Sequence, residues 1–425
     1  MMSTQTIDAG TAAERRPGSE RGTGGKWLWL TVAASMFAAA WGGNEFTPLL
    51  VMYRLDHGYS PVMVDFFLFA YVLGIVPALL LGGPLSDRLG RRPIMLPAPI
   101  IAIAGSTLLA FGADSAAALI LGRILCGIAL GIGMAVGGSW VKELSTQPWD
   151  STASEGAGAR RAAMSLTAGF ALGAGAAGIL AQWAPLPSVL AYVLHIAITV
   201  LAAMALWRAP ETRPAQAKSD RRRLIDDLKI PSAGHRRFLY VVVPLAPWVF
   251  GAASVAYAVI PALMTGHSGD APVAFSALLC MVALTCGFAI QSLGRKIDTD
   301  RSARGAVVAL VFLVVGMAGA ALVASTLTVA IAIVAAAILG CGYGMALVSG
   351  LLEIQRIAGP DDLAGLTAVF YSITYIGFAV PALLAMLSES IPALSYTVTL
   401  LFGSAAAAAC LILILLKSRS HLPSA

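Results

Sequence analysis

This sequence is poor in charge. Only 12% of its 425 residues are charged and 58% are hydrophobic, against roughly 25% charged in an average soluble domain. A compact soluble chain must cover itself with polar surface, and this one has too little, which excludes an ordinary soluble domain. Cysteine is scarce as well. Cys126, Cys280, Cys286, Cys341 and Cys410 all lie in apolar runs and none has metal-ligand spacing, so they read as buried free thiols. No G-x-x-x-x-G-K-[ST] loop occurs, which excludes a P-loop ATPase. No clustered His/Glu metal signature or nucleophile motif lies in the apolar runs, so neither an enzyme nor a cofactor or metal is expected. Sustained period-two alternation is missing too, which argues against a membrane β-barrel.

What is present is a series of long apolar runs. A hydrocarbon core about 30 Å thick needs ~20 apolar residues per helix, and twelve runs qualify: 27–49, 62–82, 94–112, 116–140, 162–183, 187–207, 238–264, 272–292, 305–325, 327–352, 363–386 and 393–416. The 43 glycines suit closely packed membrane helices. The expected fold is therefore an all-α integral membrane protein, with twelve transmembrane helices in two six-helix bundles.

Orientation follows from the basic residues, which favour cytoplasmic loops. An even number of spans puts both ends of the chain on one side, and 26 of the 28 Lys and Arg fall on that side, leaving only Arg54 and Arg123. Both termini are therefore expected in the cytoplasm, with the protein multi-pass in the cell (plasma or inner) membrane. The net charge of +6 is then a topology signal, not a nucleic-acid footprint. Residues 1–26 are polar, and the apolar run after them is too long for a signal-peptide core and lacks a small-residue cleavage site; they read as a disordered cytoplasmic tail. Bundles at 27–207 and 238–416 are separated by a central cytoplasmic loop at 208–237 and followed by a tail at 417–425. The run Arg221 to Arg223 in that loop can lie on anionic headgroups, worth ~1 kcal/mol per basic residue, or simply be solvated.

The chain also resembles itself. Shifted by 204 residues, "GPLSDRLGRR" (83–92) falls on "GFAIQSLGRK" (287–296); shifted by 211, "GIGMA" (131–135) falls on "GYGMA" (342–346). Each pair occupies the same place in its half, so the halves read as parallel repeats, as in secondary transporters with a site between them.

With these residues in view, the whole chain resembles the major facilitator superfamily, most closely its twelve-helix drug/metabolite:proton antiporter branch. The family signature between helices two and three, G-x-L-x-D-R-x-G-R-[RK], is complete as Gly83, Leu85, Asp87, Arg88, Gly90, Arg91 and Arg92. The resemblance implies a cytoplasmic gate. Gly83 and Gly90 would permit close approach and a tight turn, and Asp87 would accept from arginines or cap a helix of the other half. Gln291 and Ser292 replace the Asp-Arg pair in the second copy, so the gate would be asymmetric. Glu353 and Arg356, at i and i+3, are expected to share the gating.

Charges inside spans cost ~2.5–3.5 kcal/mol on insertion scales and are functional candidates by default. Glu45, Asp65 and Arg123 stand away from span ends, all about 27–29 Å from the inner end of their helix at 1.5 Å per residue, and are expected to form one cluster. Trp41, Asn44, Glu45 and Pro48 fall on one helical face. Gly42 and Pro48 match the family's efflux pattern in helix one, where an acid often carries the coupling proton. Poised between burial and a guanidinium, Glu45 can exchange a proton; the alternative is a structural Glu45–Arg123 ion pair. Asp65 also suits a plain helix N-terminus. Gly127 and Gly131 form a GxxxG face. In "GFALGAGAAG" (169–178) the glycines of the family's antiporter motif are matched, but Ala174 and Ala177 replace its proline and one glycine. His195 is the one histidine within a span, and since sixth helices of this fold are peripheral, packing is its expected role.

The C-terminal half offers aromatics instead: Trp248, Phe250, Tyr257, Tyr343, Tyr371, Tyr375 and Phe378, the last three at i, i+4 and i+7 of one face. With Trp41 and Asn44 opposite, they form the expected substrate cavity, suited to an amphipathic or cationic organic molecule. The expectation is a monomeric secondary active transporter coupling protons to efflux of a small lipophilic or amphipathic compound, with proton-coupled uptake of a nutrient or organic acid as the alternative. A transporter-like sensor would keep the fold but show no flux.

Overall fold

The computed structural model describes residues 25–213, 230–359, 362–420 and 422. The run Arg221 to Arg223 and nearly all of the expected N-terminal tail lie outside the described residues. The chain is helical: α1 (Trp29–Asn44), α2 (Phe46–Leu55), α3 (Pro61–Leu89), α4 (Arg91–Phe111), α5 (Ala116–Leu144), α6 (Ala157–Trp183), α7 (Leu190–Leu206), α8 (Phe238–Leu263), α9 (Pro272–Ile297), α10 (Arg304–Thr326), α11 (Val329–Ile357), α12 (Leu363–Ser390) and α13 (Tyr396–Lys417). No strand occurs among the described residues. Ten of these helices, α3 to α6 and α8 to α13, are long and apolar enough to cross a membrane; α7 is apolar but has 17 residues. The run expected at 27–49 is divided at Glu45 into α1 and α2. Pro48 has no N–H to return to Asn44, which weakens the ladder at that point.

Local sequence sets the ends. Ser60, Ser115 and Ser395 accept from the backbone N–H three residues on, capping α3, α5 and α13. Several helices outrun their apolar segments. The signature from Gly83 to Leu89 is the last part of α3, not a loop, and only Gly90 breaks the chain, at φ 102°.

Packing is closest where glycines face a neighbouring backbone. A Cβ on Gly74 or Gly127 would overlap the facing α5 or α3 backbone, and one on Gly340 or Gly344 would overlap α9. Thus α3 lies on α5 and α9 on α11 with main chains in contact, the small-residue packing that replaces hydrophobic drive inside a bilayer. Gly83 has no such neighbour; the close approach expected of it is made by Gly82, whose Cβ position lies 3.3 Å from Ala135.

Buried side chains of 238–414 gather into one cluster. Those of the N-terminal half form two, one of which takes in Tyr257, Cys280, Tyr375 and Phe378 from the other half. That shared layer joins α1, α2, α3 and α6 to α8, α9 and α12. We call the helix ends bearing Arg91, Glu143 and Arg356 the basic end, and the opposite ends the far end. The halves meet from the middle of the helices to the far end. Asn44 Nδ2 donates to Cys280 Sγ at 3.4 Å, and Gly178 abuts Ala277 and Pro48. Gln182 Oε1 accepts from the N–H groups of Val273 (2.9 Å) and Ala274 (3.2 Å), capping α9 from across the interface.

Candidate functional site

The middle of the molecule holds a cavity lined by Asn44, Tyr71 and Arg123 from one half and by Phe250, Tyr257, Tyr343, Tyr375 and Phe378 from the other. About 400 Å³ of space, part of it open to solvent, lies between these walls. The rings are closed on one another. Phe250 stacks on Tyr375 at 4.4 Å and on Phe378 at 5.0 Å, and Tyr71 meets both Tyr375 and Phe378 edge-on. A flat guest would have to replace ring–ring contacts with ring–guest contacts, an exchange of similar terms of ~0.5–1.5 kcal/mol each. Tyr257 sits in a wide π-type turn at Val255–Val259, and such turns recur at functional sites.

Arg123 is the one charged side chain on this lining. Its guanidinium lies between the rings of Phe46 (4.6 Å) and Tyr71 (4.5 Å) and donates to the carbonyls of Phe67 (3.3 Å) and Gly43 (3.2 Å). Held by two π faces and two carbonyls, it keeps its charge in the interior without a carboxylate. The Tyr71 hydroxyl beside it is buried with no hydrogen-bond partner.

Glu45 is fully buried and does not line the cavity. Its Oε1 is 3.4 Å from His195 Nδ1 and accepts from Ser106 Oγ at 3.4 Å; its Oε2 has no partner. Ser106 Oγ and His195 Nδ1 are 2.7 Å apart, while His195 Nε2 lies 3.0 Å from the Ala38 carbonyl. The acid thus sits on the side of the helix facing α4 and α7, whereas Asn44, one residue earlier, faces the cavity.

At the basic end Arg91 is nearly buried and gathers three partners. It donates to Ser86 Oγ (2.6 Å), Asp87 Oδ1 (2.7 Å) and Glu143 Oε1 (2.6 Å). Glu211 accepts from the N–H groups of Arg91 (3.0 Å) and Arg92 (2.8 Å), capping α4, while Arg213 reaches Asp87 at 3.2 Å. Nearby, Asp150 is held below the usual carboxylate range by hydrogen bonds from Thr152 and then Arg161. In the C-terminal half, Arg237 is fully buried against both oxygens of Glu353 (2.5 and 2.7 Å) and donates to the carbonyls of Ser418 and Ser420. Arg356 pairs with Asp298, Asp300 and Glu353.

A family model described as Major Facilitator Superfamily matches residues 28–382. The chain belongs to that superfamily. It is a transporter, not an enzyme. A chloramphenicol resistance protein of Pseudomonas aeruginosa is 28% identical over 261 residues, 61% of this chain and 59% of that protein; the match therefore spans under two thirds of the relative's length. Among solved structures, a POT family transporter in complex with 5-aminolevulinic acid superposes with a TM-score of 0.74 at 13% identity, covering 92% of this chain and 96% of that one. A nucleoside transporter gives 0.69 at 10%, covering 92% and 99%. These two share the fold.

Within this superfamily member several sequence expectations need correction. Glu45, Asp65 and Arg123 are not one cluster: Asp65 turns to Arg54, 3.8 Å away at the far end, and no ion pair joins Glu45 to Arg123, whose partners are rings and carbonyls. The face proposed for Trp41, Asn44, Glu45 and Pro48 divides, because neighbouring helical residues point about 100° apart, and Asn44 and the acid meet different partners. Trp41, Trp248 and Tyr371 are absent from the cavity lining. Trp41 backs the glycines of α6, and Trp248 packs on the C-terminal core. Of the two roles expected of Asp87, it accepts from arginines, Arg91 and Arg213 of the central loop, and among the described residues does not cap a helix of the other half; the contacts of Glu353 and Arg356 named above do not reach the N-terminal bundle. Tyr71, Ser106, Glu143, Glu211 and Arg237 went unnoticed in the sequence. Glu211 lies in "RAPETRP", a stretch that looks like linker until it folds back on α4.

Proposed function

We propose that this protein is a proton-coupled exporter of small aromatic or amphipathic compounds, with chloramphenicol as the first compound to try. It would work by alternating access between two six-helix bundles in the cell membrane, both termini cytoplasmic. The observation that carries the reading is Glu45, fully buried with one oxygen unpartnered, backing onto a cavity with aromatic walls. An ionised carboxyl in that position would cost several kcal/mol without a paired cation. A protonated one can donate its O–H to Ser106 or His195, so loading and unloading a proton changes what the site tolerates. Arg123 stands between acid and cavity, bonded to the Gly43 carbonyl, and is the route by which guest and proton would sense each other. The resistance-protein relative supports efflux.

The alternative is proton-coupled uptake, favoured by one observation: an arginine on the cavity wall suits a carboxylate. Proteoliposomes loaded with a pH-sensitive dye separate the two. Chloramphenicol should move against protons in an imposed gradient, and Glu45→Gln should bind it without moving protons. Protons moving with the compound would make the protein an importer, and no linked proton movement would refute coupling.

A further inference from the structure

His195 does more than fill space. Its ring is fully buried and locked at both nitrogens. Nε2 faces the Ala38 carbonyl at 3.0 Å, an oxygen that only accepts, so Nε2 carries the hydrogen and the neutral ring leaves Nδ1 as an acceptor. That acceptor is turned to Ser106 Oγ at 2.7 Å and Glu45 Oε1 at 3.4 Å. Thr199 Oγ1, 3.0 Å from Nε2, holds the ring from one turn further along α7. Space for the imidazole is left by Gly42: a Cβ there would overlap the ring carbon and stand 2.6 Å from Nε2. Thus α1 gives up a side chain one turn below its acid so that a histidine of α7 can lie against its backbone.

We propose that Glu45 and His195 are two stations for a single proton, joined through the Ser106 hydroxyl, on the side of α1 away from the substrate cavity. In one state Glu45 is protonated and donates to Ser106, Ser106 donates to Nδ1, and the ring is neutral. In the other, the Glu45 proton has passed to Ser106 Oγ while the Ser106 proton has passed to Nδ1, leaving a carboxylate and an imidazolium. The Glu45 O–H bond breaks, one O–H bond breaks and one forms at Ser106, one N–H forms on His195, and the net charge of the triad is unchanged. The other groups facing it are Trp41 on α1, Arg123 and Cys126 on α5, and the hydrogen-bonded Tyr53–Tyr192 pair of α2 and α7. None of them touches His195 Nδ1. The triad gives the coupling proton a partner that the substrate cannot reach, so a guest in the cavity acts on it through Arg123 and α1, not by direct contact.

This inference rests on the proton-coupled reading above, and its test separates the two. His195→Gln keeps an amide N–H for the Ala38 carbonyl but cannot take a proton. It should bind chloramphenicol within about twofold of the native affinity, since the side chain is off the cavity lining, and lose at least about tenfold in proton-driven transport with a flattened pH profile. Ser106→Ala should lower transport in the same direction and Ser106→Thr should restore it. His195→Gln with native transport and pH profile would overturn the proposal. Should the variants fail to fold, the native protein decides. With ¹⁵N-labelled histidine in lipid bilayers, the His195 signal should pass between the neutral Nε2–H form and imidazolium, and remain neutral in Glu45→Gln. A ring that stays neutral throughout the pH range of transport overturns the proposal. A native protein without linked proton movement would sink the coupling reading, while the histidine signal would still decide the pair.

Discussion

Asn44 and Glu45 are adjacent in the chain and face different sites. The Asn44 amide donates to the Phe170 carbonyl of its own half and, across the halves, to Cys280, on the wall of the cavity. The Glu45 carboxyl turns into the N-terminal half and meets Ser106 and His195. On the proposed reading, substrate and proton would use different sides of one helix, linked by Arg123, which lines the cavity and interacts with Glu45.

Arg123 is accordingly the residue whose geometry matters more than its charge. A lysine has neither the plane to lie between Phe46 and Tyr71 nor a fork to serve two carbonyls. Arg123→Lys should weaken chloramphenicol binding about tenfold, ~1.4 kcal/mol, measured by calorimetry on purified protein. Unchanged affinity would remove Arg123 from the site.

At the basic end, Glu211 caps α4 through two backbone N–H groups and holds the return of "PETR" against the signature. Glu211→Ala should cost about 0.5–2 kcal/mol, the range for a lost helix cap, read as a lowered unfolding temperature. Gly90→Ala should be worse, since φ of 102° is strained for any Cβ, and that Cβ would stand 2.7 Å from Glu211 Oε2.

Asp150 gives a pH signature outside the membrane. Its folded carboxyl is held below its ordinary value, so its contribution to stability is complete above the unfolded carboxyl range and is lost as pH falls through the folded one. Asp150→Asn should lower the unfolding temperature at neutral pH and converge with the native protein in acid. A constant difference across the titration would contradict the assignment.

Much of this was legible in the sequence, and the failures have common causes. Apolar runs mark helices because a bilayer leaves the backbone no other way to satisfy itself, and the signature named the Arg91 network before any geometry. Which neighbour each side chain meets was not legible: Asn44 and Glu45 point about 100° apart on one helix, and spacing alone does not say which side meets the cavity and which meets α4 and α7. Partners from distant segments were not legible either. Nothing local to His195 announces Gly42, and Glu211 and Arg237 look like linker charges until Glu211 is seen capping α4 and Arg237 buried against Glu353. Where aromatics were grouped by helical period, Tyr375 and Phe378 reached the cavity and Tyr371 did not, because a helix buries more of its circumference than the face that meets a guest.

Gln182 fastens the far end. Gln182→Ala frees the N–H groups of Val273 and Ala274 and should favour opening there. With the other four cysteines removed, Cys280, fully buried beneath that contact, should react several-fold faster with a maleimide, the response to a shift of about 1 kcal/mol. An unchanged rate would mean that the cap does not govern opening.

The central claim is that binding in the aromatic cavity governs the proton on Glu45. The most direct measurement is proton release when chloramphenicol is added to purified protein in weakly buffered detergent solution, native against Glu45→Gln. The native protein should release protons and the variant none, with binding retained in both. Equal release from the two proteins would contradict it.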